Sequence, residues 1–174
     1  MFTSQTDVLP RTLVRGQTDP PTSRALAQKQ KIMGHLKIWV HLVWTTKNRA
    51  PLLTSEIRKQ IFEHIRKNAA EKSIHIDFIN GYLEHVHCLI SLGSGQNIDK
   101  ILMLLKGESS WWINKNRICS GKFEWQDEYF AVSVNESSLD RVREYIKNQE
   151  AHHRKRSFQE EYDDFIRKYG FDRS

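Results

Sequence analysis

Four stretches of alternating apolar and polar residues indicate β-strands in this chain. Apolar side chains recur at every second position over residues 36–44, 74–78, 86–92 and 130–134, and the third strand is expected to begin near Tyr82. The dipeptide Asn80-Gly81, typical of a tight turn, separates the second stretch from the third. The second and third strands are therefore predicted to form an antiparallel hairpin.

Helices are predicted between and after these strands, where apolar residues recur every three or four positions. Thr54 is placed to cap a first helix, and a second helix is expected over residues 98–116. Two more helices are expected over residues 137–153 and 158–169. The order βαββαβ predicts an α+β, ferredoxin-like fold, in which two helices cover one face of a four-stranded antiparallel sheet. The opposite face is expected to be left for a ligand.

Composition separates a short N-terminal segment from a single domain. Residues 1–33 contain three of the four prolines among Thr, Ser, Gln and Arg, and they show little hydrophobic periodicity. We expect this segment to be a flexible extension. Residues 34–174 carry all the predicted elements and are numerous enough to bury a substantial core.

The charge balance narrows the class of partner. The formal net charge is +6 and the sequence pI is about 9.4, which favours a polyanion such as nucleic acid. No apolar run approaches the ~20 residues of a membrane span, and no signal peptide is visible. Cys88 and Cys119 lack zinc-ligand spacing. A reduced, cytoplasmic protein that does not enter the membrane is therefore expected.

Two histidines one residue apart are the first candidates for chemistry. His85 and His87 point to the same face of their strand, while Val86, Cys88 and Ile90 form a buried stripe on the other. The two imidazoles are thus free to hold one metal ion. A pair of hydrogen-bonded, structural histidines is the alternative interpretation.

A helix near the C-terminus adds an oxygen nucleophile and an amide. Tyr145 and Gln149 are four residues apart and so are neighbours on one helical surface. Taken alone, the tyrosine would be assigned to packing and the glutamine to the solvated surface. Together with the histidines they suggest a metal site beside a phenol, a combination that suits attack on a phosphodiester.

Four sequence blocks around these residues carry a resemblance to a known family. They cover residues 41–49, 105–114, 125–134 and 145–153. With His85-Val86-His87, and over about residues 36–171, they closely resemble the single-tyrosine HUH transposases. HUH denotes histidine, hydrophobic residue, histidine, and these bacterial enzymes mobilise insertion sequences as single-stranded DNA.

The resemblance implies a transposase that nicks and rejoins single-stranded DNA at element ends. Tyr145 would attack the DNA backbone, leaving a 5′-phosphotyrosine link and a free 3′-hydroxyl. His85, His87 and Gln149 would hold a divalent cation. Imidazole alone suits zinc, nickel or copper, whereas amide, water and phosphate oxygens suit magnesium or manganese. The resemblance favours Mg²⁺ or Mn²⁺.

Further residues in the matching blocks are secondary candidates. His152 and His153 are alternative third ligands, although a solvated helix end is expected for both. Lys47, Arg49 and Lys106 are candidate phosphate contacts in DNA binding, the alternative being ordinary surface cations.

The resemblance also implies partners. The DNA would carry imperfect hairpins at element ends, and the protein would be associated with the bacterial nucleoid when bound to it. A homodimer is expected in which the tyrosine helix of one chain docks against the histidines of its neighbour. The competing interpretations are a domesticated HUH nickase, an HUH replication initiator or relaxase, and a non-catalytic, ferredoxin-like nucleic-acid-binding protein.

Overall fold

A computed structural model describes residues 35–154 and 157–170. The strands are β1 (Ile38–Thr46), β2 (His75–Gly81), β3 (His85–Leu92) and β4 (Trp125–Val134). The helices are α1 (Ser55–Glu71), α2 (Ile98–Lys115), α3 (Leu139–Lys147), α4 (Gln149–His153) and α5 (Phe158–Tyr169). The expected N-terminal extension, residues 1–33, lies outside the described residues.

The four strands form one antiparallel sheet in the order β2-β3-β1-β4. This order, with α1 and α2 as the two connections, is the ferredoxin-like arrangement that the sequence predicts. The two central strands are paired so that Val43 lies opposite His87 and His41 lies opposite Leu89. The candidate histidine pair therefore sits in the middle of the sheet.

The main hydrophobic core lies between α1, α2 and one face of the sheet. The residues that the two central strands contribute to it alternate along each strand, and they are Val40, Leu42, Trp44, Val86, Cys88 and Ile90. Because side chains alternate between faces, the histidines of β3 are directed to the opposite face. This part of the sequence-based prediction is confirmed.

The second face of the sheet is not open, contrary to expectation. A small apolar cluster formed by Leu89, Leu139 and Ile146 packs α3 against it. The ring of Phe158, at the start of α5, stacks on His85 with 4.4 Å between ring centroids. The C-terminal helices have amphipathic faces of their own to bury, and this face of the sheet is where they bury them.

Three local expectations are corrected. Asn80-Gly81 belongs to β2, and the chain reverses over residues 82–84 instead. Gly81 is required by close packing, since an added Cβ would lie 2.1 Å from the carbonyl oxygen of His85. Thr54 occupies the N-cap position of α1 without making a side-chain capping bond. The helix expected over residues 137–153 is divided into α3 and α4 at Asn148.

Among the described residues, no helix is both long enough and apolar enough to cross a membrane.

Candidate metal and tyrosine site

Three histidines from the two central strands lie together on the second face. His85, His87 and His41 are 0%, 1% and 4% exposed. The Nδ1 atom of His87 lies 3.0 Å from Nε2 of His41, within hydrogen-bonding distance. His41 was missed by the sequence analysis, because its proximity to His87 depends on how β1 and β3 are paired. The apolar residues alternating with it in β1 were nevertheless a signal that it shares this face.

Helix α4 carries a glutamine and a histidine to the same place. The Oε1 atom of Gln149 lies 3.2 Å from Nε2 of His85 and 3.1 Å from Nε2 of His153. Gln149 is completely buried, and the side chain of His153 is only 2% exposed. The expectation of a solvated helix end is therefore wrong for His153. An ion pair between Glu150 and Arg58 of α1 helps to position α4.

Helix α5 contributes an acidic residue that the sequence analysis also missed. Glu161 is 6% exposed, and its Oε1 atom lies 3.3 Å from Nε2 of His87. Its Oε2 atom lies 2.9 Å from Nε2 of His153 and 4.0 Å from Nε2 of His85. Burial raises the pKa of this carboxyl to about 7. Repulsion from Glu84 also raises the pKa, and attraction to His85 partly offsets both effects. The sequence signal was an acid on the apolar stripe of a helix, three residues after Phe158.

Tyr145 lies beside these residues within the same chain. Its ring centroid is 5.4 Å from that of His87 and 5.5 Å from that of His152. The tyrosine also lines a cavity of about 500 Å³, whose lining includes two cations, Arg141 and Lys168, and two acids, Glu161 and Asp164. The phenol therefore lies in a cavity that offers both positive and negative side chains.

Polar bonds to the edge strand β2 fix the tyrosine helix. Arg143 of α3 forms an ion pair of 2.7 Å with Asp77 of β2. The Nδ2 atom of Asn80 donates to the carbonyl oxygens of Ile146 and Lys147, at 3.0 Å each, where the helix ends. These contacts give partners to carbonyls in the last turn of α3, where a helix runs short of its own amide donors.

The donor set fits a divalent cation. His85, His153 and Glu161 offer ligand atoms that all lie within 4.8 Å of one another. Nε2 of His87 and both oxygens of Glu161 are buried and make no conventional hydrogen bond to any described residue. Buried polar atoms that point toward one another and lack such partners are suited to sharing a cation.

The outer nitrogens of the two motif histidines have polar neighbours. Nδ1 of His87 lies within hydrogen-bonding distance of His41, a contact that orients a ligating imidazole and sets its tautomer. Nδ1 of His85 lies 3.5 Å from a carboxylate oxygen of Glu84 and makes no conventional hydrogen bond to the described residues. Glu84 directly precedes β3, so the alternation of that strand does not fix the direction of its side chain.

Burial is the main reason why the pKa of His87 lies well below its usual value, and repulsion from neighbouring histidines lowers it further. The pKa of His41 is lowered in the same way, with Lys168 contributing. Both rings are therefore neutral at physiological pH, and the neutral form of His87 is the one that can bind a metal.

The three candidate DNA-binding cations have different surroundings, and Lys106 belongs to α2, on the face of the sheet opposite the site. Lys47 lies 3.5 Å from a carboxylate oxygen of Asp127, and Lys106 donates to the backbone oxygen of the same residue at 2.8 Å. Arg49 lies over the rings of Phe158 and Tyr162. Arg49 is therefore the cation of the three that contacts the helix covering the histidines.

A ferredoxin-like sheet with paired histidines and a tyrosine helix on one face defines the class as a transposase of the tyrosine type. Residues 35–149 match the family model described as Transposase IS200 like. The chain belongs to this family of single-tyrosine HUH transposases.

Individual relatives agree with this assignment. The ISDra2 transposase TnpA of Deinococcus radiodurans is 26% identical over 115 residues, which cover 63% of this chain and 81% of that protein. A crystal structure of a protein described as a transposase from D. radiodurans R1 has a TM-score of 0.54 at 23% identity. The match covers 70% of this chain and 97% of that one. The structure of a REP-associated tyrosine transposase bound to a REP hairpin has a TM-score of 0.52 at 20% identity. The match covers 67% of this chain and 68% of that one.

Proposed function

We propose that this protein nicks and rejoins single-stranded DNA at element ends through a 5′-phosphotyrosine intermediate, with the help of a divalent cation. The observation that carries the proposal is the position of Tyr145, whose ring lies 5.4 Å from that of His87, beside the buried group that includes His85 and Gln149. A nucleophilic oxygen next to a metal-binding group is the arrangement that phosphodiester transfer requires.

In this mechanism the phenolic oxygen of Tyr145 attacks phosphorus and loses its proton. The bond from phosphorus to the 3′ oxygen breaks, and that oxygen takes up a proton to leave as a hydroxyl. The phosphotyrosine link conserves the energy of the phosphodiester, so a 3′-hydroxyl can reverse the step without ATP. Arg141 and Lys168, which line the same cavity as Tyr145, are proposed to contact phosphates near the cleaved bond.

His85, His87 and Gln149 are the residues proposed to hold Mg²⁺ or Mn²⁺. When bound, the cation would withdraw charge from a nonbridging phosphate oxygen and would orient the cleaved bond. The contribution of His41 is to orient His87 through their shared hydrogen bond.

The proposed partners are hairpin-bearing single-stranded DNA and a second copy of the chain. The related REP-associated transposase is bound to a REP hairpin, which supports a hairpin ligand here. Lys47, Arg49 and Lys106 are proposed to contact its phosphates. In the described chain α3 lies on its own sheet, and a dimer with shared sites would require it to cross to the partner through the connection at residues 135–138.

The test is covalent capture of labelled single-stranded DNA that carries the flanks of the protein's own gene. Tyr145→Phe should abolish the protein–DNA adduct while DNA affinity is retained, because only the nucleophilic oxygen is removed. Tyr129→Phe is the matched control, since Tyr129 hydrogen-bonds to Asp99 on the other side of the sheet and should not affect the adduct. An adduct formed by Tyr145→Phe would refute the assignment. DNA binding by the wild type without any adduct would favour a non-catalytic binding protein.

A further inference from the structure

The carboxylate of Glu161 is placed where an ordinary helix surface would have an apolar side chain. It lies on the buried face of α5 with Phe158 and Ile166, and it is 6% exposed. Neither of its oxygens makes a conventional hydrogen bond within the described part of the chain, although three imidazoles surround it. Burying a carboxylate in this way is costly unless a positive charge offsets it.

The distances between Glu161 and the neighbouring donors match those between ligands of one small cation. Ligands about 2.1 Å from an octahedral cation lie about 3 Å apart when adjacent and about 4.2 Å apart when opposite. Glu161 Oε1 is 3.3 Å from Nε2 of His87, and Oε2 is 4.0 Å from Nε2 of His85. The separation between His85 Nε2 and Gln149 Oε1, 3.2 Å, falls in the same range.

Charge gives an independent reason for a carboxylate in this site. His85, His87 and Gln149 are neutral ligands, so in the absence of DNA a divalent cation held by them alone would be buried without compensation. Magnesium and manganese also prefer oxygen ligands, of which those three residues supply one. Glu161 would add both a negative charge and an oxygen donor.

We propose that Glu161 is a further ligand of the divalent cation, so that α5 is part of the active site and not merely its cover. This proposal rests on the proposed function in that it takes the cation at His85 and His87 as given. The competing explanation is that Glu161 serves only as an ion-pair partner of His153, whose Nε2 lies 2.9 Å away.

A titration of the DNA-free full-length chain with Mn²⁺ separates the two explanations. The EPR signal of free Mn²⁺ reports how much of the metal remains unbound. Glu161→Gln keeps the shape of the side chain and removes its charge, and it should weaken the affinity for Mn²⁺ by about 10-fold or more. Glu160→Gln is the matched control on the same helix. Glu160 belongs to the capping box with Ser157, a role that glutamine can also fill, so this variant should bind Mn²⁺ as the wild type does.

Equal Mn²⁺ affinity for Glu161→Gln, Glu160→Gln and the wild type would overturn the role of Glu161 and leave the proposed metal site standing. Absence of Mn²⁺ binding by the wild type would instead refute the metal site itself. Hydrogen exchange in the wild type covers the case in which Glu161→Gln does not fold. Mg²⁺ should slow amide exchange in α5 several-fold if the cation ties Glu161 to β3, and unchanged exchange in α5 would contradict the proposal.

Discussion

Replacement of Gly81 by alanine should damage the candidate site from the backbone side. The new Cβ would lie 2.1 Å from the carbonyl oxygen of His85 and 3.0 Å from Cα of Val86, where 3.4 Å or more is ordinary contact. Because the nearest atoms belong to the backbone, no side-chain rotation relieves the clash. The start of β3 must move by more than about 1 Å, a shift of the size that disrupts positioned ligands.

The expected cost follows from the bonds that this shift breaks. The hydrogen bond from the Tyr82 amide to the carbonyl of His85, 3.1 Å long, would be lost or lengthened. One such bond is worth about 0.5–1.5 kcal/mol, and backbone strain adds about 1–3 kcal/mol. We therefore expect the free energy of unfolding to fall by about 2–4 kcal/mol, and Mn²⁺ affinity to weaken because His85 is displaced.

Urea unfolding measures this effect, and Gly107→Ala is the matched control. Gly107 lies in α2, and no atom of residues 35–154 or 157–170 comes within 4 Å of an added Cβ, so alanine there should raise the free energy of unfolding by about 0.5–1 kcal/mol. The reasoning would be refuted if the free energy of unfolding of Gly81→Ala lay within about 0.5 kcal/mol of the wild-type value while Gly107→Ala showed the expected gain.

Two further predictions concern the ligands and the sharing of sites. Gln149→Ala should reduce adduct formation more at low than at high Mg²⁺ concentration, because an amide is a replaceable ligand; activity unchanged at every concentration would remove Gln149 from the site. If sites are shared between chains, mixed dimers of Tyr145→Phe chains with His85→Ala/His87→Ala chains should regain one intact site. Verified mixed dimers that stay inactive would show that the tyrosine works within its own chain.

The parts of the fold that depend on local periodicity could be predicted from the sequence. The alternation in β3 correctly separated the buried Val86, Cys88 and Ile90 from the histidines, because a strand permits only two directions for its side chains. The last helix was expected over residues 158–169 and is observed as Phe158–Tyr169, since it begins with a capping box at Ser157 and ends at Gly170 in a left-handed conformation.

What could not be predicted depends on contacts between distant segments. His41 joins the site through the pairing of β1 with β3, and Glu161 joins it because α5 folds back onto the sheet. His153 was expected in solvent for the same reason, since nothing within α4 indicates that another helix will cover it. The hairpin was placed two residues too early because Asn80-Gly81 suits a turn, although Gly81 is needed for its close approach to His85.

The way in which α3 is attached bears on where its tyrosine acts. Its two fully buried apolar residues, Leu139 and Ile146, account for about 3–6 kcal/mol of docking energy. A second copy of the chain would offer α3 the same apolar surface and the same ion pair to Asp77. The contacts alone therefore barely distinguish docking of α3 on its own sheet from docking on the partner's sheet. The connection does distinguish them, because the four residues 135–138 span at most about 14 Å when extended. Sharing of the tyrosine therefore requires the partner's docking surface for α3 to begin within reach of the end of β4.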